Sequence, residues 1–567
     1  MNKFFILFIA LFLLTMAKTN QSWAQTIPVD NIQQDDIDRI NQLKGDSDIR
    51  SFTIRPINSN YPITDPGFTA TPTQPFQFLG IKGKLQLLPF DWVQQYNSHH
   101  PYGWNDGAMI PAKGYQTLVS TGFYFRWGII SLQLKPEMVY AANNNFSAFA
   151  PNSDTLWAYM YSFINRIDNP EKFGNDTYKK IYSGQSNLLL NFKSISAGIS
   201  TENIWWGPGY RNSLLMSNSA PGFLHLTIHT NKPIKTGIGN FEFELIGGKL
   251  ESSGISPPDT SKTFYGNIHT TGGATSFYNG QRLYEPKLKD WRYINGLIIT
   301  WQPKWIKGLY LGVDRVFYEY NSKLSGSFTT KYLPVFKGLN IAKNYSSQVT
   351  LNESDELIAF FARWLLPKAH TEFYVEWGRN DNSANLRDFV TSPDHSEAIV
   401  AGIRKLIPID EKSVIDIQTE IAQIGYSKSY LTLRPQEGWY AHYQVRDGYT
   451  NQGQMMGAGI GVGAESEMLN ISLLNGEKKW GVLLERYVHN NDFYRLISTY
   501  TNFKGTPWID YSIIGHISFP YKQWYFNGEL GIINSNNYEW ANFSSFNNNP
   551  ITSTLNVHAK LSLRYYW

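Results

Sequence analysis

LNVHAKLSLRYYW, residues 555–567, ends the chain in one uninterrupted alternation of apolar and polar side chains. A period of two is the pattern of a β-strand that has one apolar and one polar face. A soluble sheet buries the apolar face against a second layer, whereas a membrane barrel turns it to lipid and lines its lumen with the polar face. Because the alternation runs up to the aromatic Trp567, it is typical of the strand that closes an outer-membrane barrel. We therefore expect an all-β fold, a large antiparallel transmembrane β-barrel.

The same period recurs through residues 76–567, which we assign to the barrel. Alternating stretches surround Leu85, Phe123, Leu226, Phe243, Val375 and Ile417. At roughly 25 to 30 residues per strand and connection, about 490 residues give on the order of 16 to 20 strands. Long connections are expected at 141–180, 251–288, 321–355 and 534–554, and in such barrels long loops face outside while short turns face the periplasm.

The first 24 residues have the features of a secretory signal peptide. Lys3 precedes an apolar run over residues 4–16, and a small-x-small site, Ser22-Trp23-Ala24, follows. This signature predicts export with cleavage after Ala24. We therefore expect the mature protein in the bacterial outer membrane.

Residues 25–75 are polar and rich in proline, and we treat them as a separate N-terminal segment. The spacing of Ile37, Ile40 and Leu43, with Gly45 after them, predicts a short helix of one or two turns. The prolines that follow predict an irregular chain. The segment is expected to be periplasmic or to plug the barrel.

The composition excludes several classes of protein. Aromatic residues make up 15% of the chain and charged residues 17%, against a usual charged share of about 25%. A net charge of +4 is too small to indicate a nucleic-acid partner. Because the chain has no cysteine, it has no disulfides, thiol nucleophile, cysteine metal site or lipid-attached cysteine. Many aromatic and few charged residues suit an outer surface that meets lipid.

One segment, ENIWWGPGYRNSLLMSNSAPG (202–222), interrupts the alternation. Its prolines and glycines predict an irregular backbone that is not itself a strand. Trp205 and Trp206 offer flat apolar faces, while Arg211, Asn212 and Asn218 offer hydrogen-bonding groups, a mixture that suits a sugar. The alternative is that the tryptophans wedge a loop into the barrel and the asparagines satisfy its backbone. The residue types alone favour neither.

Catalytic and metal sites are weakly indicated elsewhere. His225 and His229 share a strand face but stand roughly 13 Å apart, too far to share a metal. No GxSxG sequence marks a serine nucleophile. Four carboxylates expected in the lumen could act in glycoside chemistry or form ion pairs with Lys84, Arg126 or Arg363; they are Glu242, Glu244, Glu372 and Glu376. We expect ion pairs, no catalytic residues, no metal and no cofactor.

Two stretches of the sequence resemble the motifs of the capsule assembly Wzi family. The first is the segment Glu202-Asn203-x-Trp-Trp-Gly-Pro-Gly, continuing through Leu-Leu-Met-Ser-Asn to Ala220-Pro221. The second is Gly-Tyr-Thr-Asn-Gln-Gly-Gln at 448–454, running on to Gly457. The family positions expected to be structural are Glu202, Gly207, Pro208, Gly209, Ser217, Pro221, Gly448, Thr450, Asn451, Gly453 and Gly457.

The resemblance implies a barrel of about eighteen strands that acts as a lectin and holds capsular polysaccharide or exopolysaccharide on the cell surface. Its weak helical content at 25–75 departs from the compact helical bundle that the family carries there. A porin-like channel or transporter is the alternative reading, and an outer-membrane hydrolase is the third. Expected partners are the polysaccharide, outer-membrane lipid with lipopolysaccharide, and the barrel-assembly machinery through the strand ending at Trp567. We expect a monomer that binds no nucleic acid.

Overall fold

The computed structural model of the protein describes residues 25–27, 29, 32–45, 50–59, 74–269, 275–336, 354–380, 394, 396–426, 438–543 and 552–567. The expected signal peptide and much of the proline-rich stretch before residue 74 lie outside the described residues. The domain boundaries therefore stay a prediction.

The described chain folds mainly as one antiparallel sheet of 22 strand segments that closes on itself. Closure comes from the pairing of the last strand with the first long one, from His558 opposite Asn97 to Tyr565 opposite Phe90. The strands are β1 (Gln25–Ile27), β2 (Ile54–Arg55), β3 (Ile57–Ser59), β4 (Gln74–Phe78), β5 (Ile81–Asn97), β6 (Gly114–Trp127), β7 (Ile130–Leu134), β8 (Glu137–Ala141), β9 (Tyr178–Tyr182), β10 (Asn187–Phe192), β11 (Ile195–Ser200), β12 (Trp205–Trp206), β13 (His225–Thr230), β14 (Ile234–Thr236), β15 (Gly239–Leu250), β16 (Thr263–His269), β17 (Thr275–Arg282), β18 (Arg292–Pro303), β19 (Leu309–Tyr320), β20 (Asp355–Leu366), β21 (Thr371–Asn380), β22 (Glu397–Pro408), β23 (Ser413–Gln423), β24 (Thr450–Asn451), β25 (Gln454–Met455), β26 (Glu465–Asn475), β27 (Lys478–Val488), β28 (Ile509–Tyr521), β29 (Trp524–Asn536) and β30 (Ser553–Tyr565).

Among the described residues, the 22 segments form eighteen barrel strands. Three of them are interrupted and consist of two segments each, β7 with β8, β9 with β10, and β13 with β14. β4 adds a short hairpin strand that pairs with the first residues of β5. The expected all-β transmembrane barrel, with its C-terminal strand as the closing strand, is confirmed.

The two faces of the barrel wall differ as the alternation predicts. On β13, Leu226 is 62% exposed while its neighbour His225 is 3% exposed. The same reversal appears on β30, where Leu555 and Val557 face out and Asn556 is buried. Since an apolar exterior would be unfavourable in water, this surface is suited to lipid.

The helices and the long connections lie mostly at one end of the barrel. At the other end, turns of a few residues join β6 to β7, β10 to β11 and β28 to β29. The α-helices are α1 (Ile32–Lys44), α2 (Asp154–Ile164), α3 (Phe328–Tyr332) and α4 (Asn491–Tyr500), and short 3-10 helices cover Asn321–Lys323, Pro334–Phe336, Pro367–Ala369 and Tyr538–Trp540. Within the described part of the chain, no helix is both long and apolar enough to cross a membrane.

Helix α1 lies inside the barrel near its short-turn end. It is longer than the one or two turns expected from the sequence, and it ends at Lys44 just before Gly45. Ile40 and Leu43 pack against wall residues beside the short turns, including Leu406 and Leu474. Arg39 forms an ion pair with Glu372 on β21 at 2.5 Å. The N-terminal segment therefore fills part of the lumen.

Candidate functional site

The segment 202–222 leaves the wall after β11 and folds into the lumen. Most of it is irregular, as expected, but Trp205 and Trp206 form the two-residue strand β12, which pairs with β2 of the N-terminal segment. The prediction that no part of the segment is a strand was therefore wrong. The strand partner comes from the N-terminal segment, so it could not be predicted from the sequence of residues 202–222 alone.

Both tryptophan rings are buried in the lumen. Trp206 is 0% exposed, and its indole N–H donates to Glu244 Oε2 on β15 at 2.9 Å. The ring of Trp205 lies beneath the guanidinium of Arg55, 5.3 Å from its centroid. In this conformation neither ring presents a face to solvent, so direct ligand contact by the tryptophans stays a prediction.

Two wall carboxylates hold the backbone of the segment. Glu376 on β21 accepts hydrogen bonds from the backbone N–H groups of Gly209 at 3.0 Å and Leu214 at 2.9 Å. A Cβ at Gly207, whose φ is +106°, would lie 2.3 Å from the same carboxylate, so the backbone approaches it closely only because this residue is glycine.

Glu420 on β23 holds the next turn of the segment. It accepts from the backbone N–H groups of Tyr210, Arg211 and Asn212 at 2.8, 3.1 and 2.8 Å. Glu420 was not among the site residues expected from the sequence, although its polar position in an alternating stretch was the available signal. These carboxylates replace the ladder hydrogen bonds that an irregular buried segment lacks.

The polar side chains of the segment also bind within the protein. Arg211 donates from Nε and a terminal nitrogen to Glu485 at 2.5 and 2.7 Å and lies over the ring of Trp104. Asn212 donates to Glu420, and Asn218 donates to the carbonyl of Asn105. These contacts occupy hydrogen-bonding side chains that were predicted to bind a sugar.

Glu202 opens the segment with three hydrogen bonds of its own. Its carboxylate accepts from the side chains of Gln133, Asn187 and Ser200. The first residue of the motif is therefore tied to neighbouring barrel strands, which fixes where the chain turns inward.

The second motif packs directly on the first. Ser217 donates its backbone N–H to Met456 and its hydroxyl to the carbonyl of Gly457. Asn451 donates to the carbonyl of Pro221 at 3.0 Å. Two stretches more than 200 residues apart thus form one body inside the barrel, which we call the lumen plug and define as residues 202–222 and 438–463.

The remaining motif residues anchor the plug to the long-loop end. Arg292 on β18 donates to the carbonyl of Gly448 and contacts the hydroxyl of Thr450. A Cβ at Gly453 would lie 2.9 Å from Ser253 of a long connection. The carbonyl of Pro208 accepts from Arg39 of α1 at 3.1 Å, so the plug also contacts the N-terminal segment.

The four lumenal carboxylates are engaged in structural contacts. Glu372 pairs with Arg39 and Arg363, Glu242 accepts from the backbone of Ser51, and Glu244 accepts from Trp206 and Thr227. The expected ion pair forms between Glu372 and Arg363, whereas Glu244 and Glu376 accept hydrogen bonds from uncharged groups instead.

His225 and His229 lie on one face of β13 and are buried. Both line a void of about 40 Å³ beside Glu244. The described residues contain no group of three or more histidine and carboxylate side chains that could hold a metal.

A cavity of about 210 Å³, lined by both polar and apolar side chains, remains in the lumen between α1, the plug and the wall formed by β26–β30. It reaches Gly476 in a short turn, and its lining includes Trp104, Tyr210 and Arg211. Of the five residues predicted to contact ligand, Arg211 is the one that lines it.

The long connections build an aromatic layer over the other end of the barrel, which we call the outer cap. It joins residues from four connections, including Tyr159 on α2, Phe264 on β16, Phe493 on α4 and Trp540. Beside it lies a cleft of about 750 Å³. Three of these four connections were expected to be long from the sequence, but the one that carries α4 was not. None was assigned a role, because the contacts that build the cap join loops distant in sequence.

Comparison with known proteins identifies relatives of this fold. A family model described as "Capsule assembly protein Wzi" matches residues 112–503. The structure of Escherichia coli Wzi, described as a carbohydrate-binding β-barrel involved in group 1 capsule assembly, aligns with a TM-score of 0.59 at 13% identity and covers 96% of this chain and 100% of that chain. At this identity the likeness establishes the fold.

Two further solved structures align less well. Pseudomonas aeruginosa OpdQ aligns with a TM-score of 0.37 at 9% identity and covers 84% of this chain and 96% of that chain. Acinetobacter baumannii OccAB2 aligns with a TM-score of 0.36 at 10% identity and covers 84% of this chain and 97% of that chain. No curated protein sequence matches the chain significantly.

Proposed function

Because the chain belongs to the capsule assembly protein Wzi family, we propose that it is an outer-membrane barrel that binds polysaccharide and holds it at the cell surface. E. coli Wzi, which has a similar fold, is described as a carbohydrate-binding barrel. The apolar exterior supports a place in the outer membrane. The protein acts by binding and carries out no reaction on the glycan.

The observation that carries this proposal is the filled lumen. The lumen plug is fastened to the wall by Glu376, Glu420 and Glu485, and α1 is fastened below it by Glu372. A diffusion channel needs a continuous aqueous path, and these contacts oppose one. A binding protein that presents a closed outer surface needs none.

The proposal divides the motif residues into two roles. Four of these residues hold the plug in place, and the plug in turn supports the outer surface; they are Trp205, Trp206, Asn212 and Asn218. Arg211 is the residue of this group that also lines a cavity and is placed to meet a ligand from the short-turn side.

Further partners follow from the ends and the surface of the barrel. The exterior contacts outer-membrane lipid and lipopolysaccharide, and the last strand β30, with Trp567 two residues after its end, is the signal for the barrel-assembly machinery. Trp567 is half exposed, and its indole donates to the carbonyl of Leu88. The closed strand ring leaves no free barrel edge, which supports a monomer.

The test compares cells that lack the protein with cells in which it is restored. Loss of the protein should release polysaccharide into the medium without stopping its synthesis, and restoration should return it to the cell fraction. Equal cell-bound polysaccharide in both strains would contradict the proposal. Planar-bilayer recordings of the purified barrel test the channel alternative, which requires a steady open conductance.

A further inference from the structure

The hairpin formed by β16 and β17 lies over the outer end of the barrel. Its inner face, with Phe264 and Ile268, packs into the outer cap against α2 and α4. Helix α4 comes from the connection between β27 and β28, on the far side of the ring from β15 and β18. The hairpin therefore spans the mouth, and its other face looks away from both the barrel and the membrane.

That outer face carries two large aromatic rings. Tyr265 and Phe277 are each 75% exposed. Tyr265 is paired with Asn279, and Phe277 with Asn267, so the two aromatic residues occupy diagonal positions on one face, with Cα atoms roughly 7–8 Å apart. Exposed apolar groups of this size indicate an interaction surface.

The side chains between the rings are amides. Asn267 and Asn279 are both exposed on the same face. Amides offer both donors and acceptors. Flat apolar rings flanked by amides match a sugar, whose ring face is apolar and whose edge carries hydroxyl groups.

The backbone holds one ring in place. Tyr265 lies across Gly280, where a Cβ would come within 2.6 Å of its hydroxyl oxygen and 2.8 Å of Cζ. The glycine thus leaves room for the ring to rest on the hairpin, which reduces the entropy lost when a ligand stacks on it.

The hairpin leads into the cleft of about 750 Å³ through Arg282, the last residue of β17. Each acid in the cleft has a partner: Asp168 accepts from Ser252 and Ser253, Asp290 accepts from the backbone N–H of Ser322, and Glu251 pairs with Lys249 at 2.6 Å. Arg282 and Lys289 also line the cleft, and neither has a polar partner among the residues that the structure describes. The cleft lining carries four basic side chains, Lys249, Arg282, Lys287 and Lys289, against these three acids, which leaves a net charge of +1.

We propose that the outer face of the β16–β17 hairpin and the adjoining cleft form the binding surface for an acidic polysaccharide. Tyr265 and Phe277 stack on sugar rings, Asn267 and Asn279 bind hydroxyl groups, and Arg282 and Lys289 bind carboxylate groups on the chain. This inference rests on the proposed function and assigns its site to residues outside both sequence motifs.

The test measures binding of the full-length barrel in detergent to the surface polysaccharide extracted from the cells that make it. Alginate, an acidic polysaccharide, and dextran, a neutral one, serve as defined probes. The double variant Tyr265→Ala with Phe277→Ala should bind the extracted polysaccharide about tenfold more weakly or worse. The matched control, Phe328→Ala with Phe336→Ala, removes two exposed aromatic rings from another long connection and should bind normally.

The charge variant Arg282→Ala with Lys289→Ala should weaken binding to the extracted polysaccharide and to alginate, and it should reduce the loss of affinity on adding salt. Unchanged binding by the aromatic variant while the wild-type protein binds would overturn this site and leave the proposed function standing. Equal binding of alginate and dextran would overturn the acidic ligand. Failure of the wild-type protein to bind any extracted polysaccharide would instead contradict the proposed function.

Discussion

Glu420 shows at the scale of one residue how the lumen plug is held. Its carboxylate accepts three backbone N–H groups from residues 210–212, and the hydroxyl of Tyr374 also donates to it at 2.8 Å. Hydrogen bonds to a charged acceptor are about twice as strong as neutral ones. One side chain on the wall therefore fixes a whole turn of irregular backbone.

Replacing Glu420 by glutamine should loosen the plug. The amide keeps the size of the side chain, but it lacks the charge and one acceptor, so about 1–3 kcal/mol of plug stability should be lost. Transient conductance steps in planar bilayers should become more frequent than in the wild-type protein. Glu467→Gln, which alters an exposed ion pair with Arg486, is the control and should behave like wild type. Equal conductance of the Glu420 variant and wild type would contradict this role.

Helix α1 is an element that ion pairs hold inside the barrel. Arg404 on β22 donates to Asp416 at 2.7 and 2.9 Å and to Asp36 of the helix at 2.5 Å, while Lys479 reaches Asp36 at 2.7 Å. A buried charge network of this kind is costly to break because it leaves uncompensated charges.

Arg404→Met should release α1 from the wall. Removing the guanidinium leaves the carboxylates of Asp36 and Asp416 to share Lys479, at 2.7 and 3.5 Å, at a cost of about 3–5 kcal/mol. Limited trypsin treatment should then cleave after Lys44 much faster than in the wild-type protein, whereas the barrel itself stays intact. Arg486→Met, on the exposed pair, serves as the control. Unchanged cleavage of the Arg404 variant would contradict this role and show that the pairs of Arg39 with Glu372 and of Lys479 with Asp36, together with apolar packing, retain the helix.

Helix α4 of the outer cap carries a buried acid that makes its stability depend on pH. Burial raises the pKa of the Asp492 carboxyl from 3.8 to about 7. One oxygen accepts from the backbone of Tyr426 at 2.7 Å, and the other has no hydrogen-bond partner among the described residues. The acid is therefore favoured in its protonated form in the folded protein.

A carboxyl group with a raised pKa stabilises the fold fully below its unfolded pKa near 4, and this contribution is lost as the pH rises through about 7. The midpoint temperature of thermal unfolding of the wild-type protein should therefore decrease as the pH is raised from 4.5 to 8. Asp492→Asn removes this titration. The midpoint temperature of the variant, relative to that of the wild-type protein, should therefore increase as the pH rises. Parallel curves for the two proteins would contradict the assignment.

At the scale of the whole molecule, the barrel acts as a closed frame for its internal segments. Eighteen strands form the wall, the lumen plug and α1 fill the inside, and the outer cap covers one end. Each internal segment is fastened to the wall by charged or backbone hydrogen bonds, because an irregular chain in a lumen must satisfy its own polar groups.

Removing the inward segment should convert the barrel into a pore. Replacing residues 203–219 by a short Gly-Ser linker deletes most of the first of the two plug stretches and leaves the wall strands unchanged. The shortened protein should show a steady conductance in planar bilayers, and the wild-type protein should not. A control that replaces the long connection 322–335 by the same linker should stay closed. A closed shortened barrel would show that the remaining segments seal the lumen by themselves.

The sequence by itself determined the wall of this protein. A period of two is a local property, so the run at 555–567 and its counterparts predicted a closed barrel and the direction of each side chain. The motifs marked residues 202–222 as special for the same reason, since glycine and proline act on the backbone where they stand.

The tertiary structure alone decided what those residues contact. Glu420 contacts residue 212, Arg39 contacts Glu372, and Phe264 joins Phe493 of α4 in one hydrophobic cluster only because closure of the ring brings distant strands and loops together. The β12 pairing with the N-terminal segment and the hairpin over the mouth depend on the same closure. Contacts between residues this far apart in the chain produce no periodic pattern in a single sequence. The unusual segment 202–222 could therefore be recognised from its own residues, but the wall residues that hold it could not.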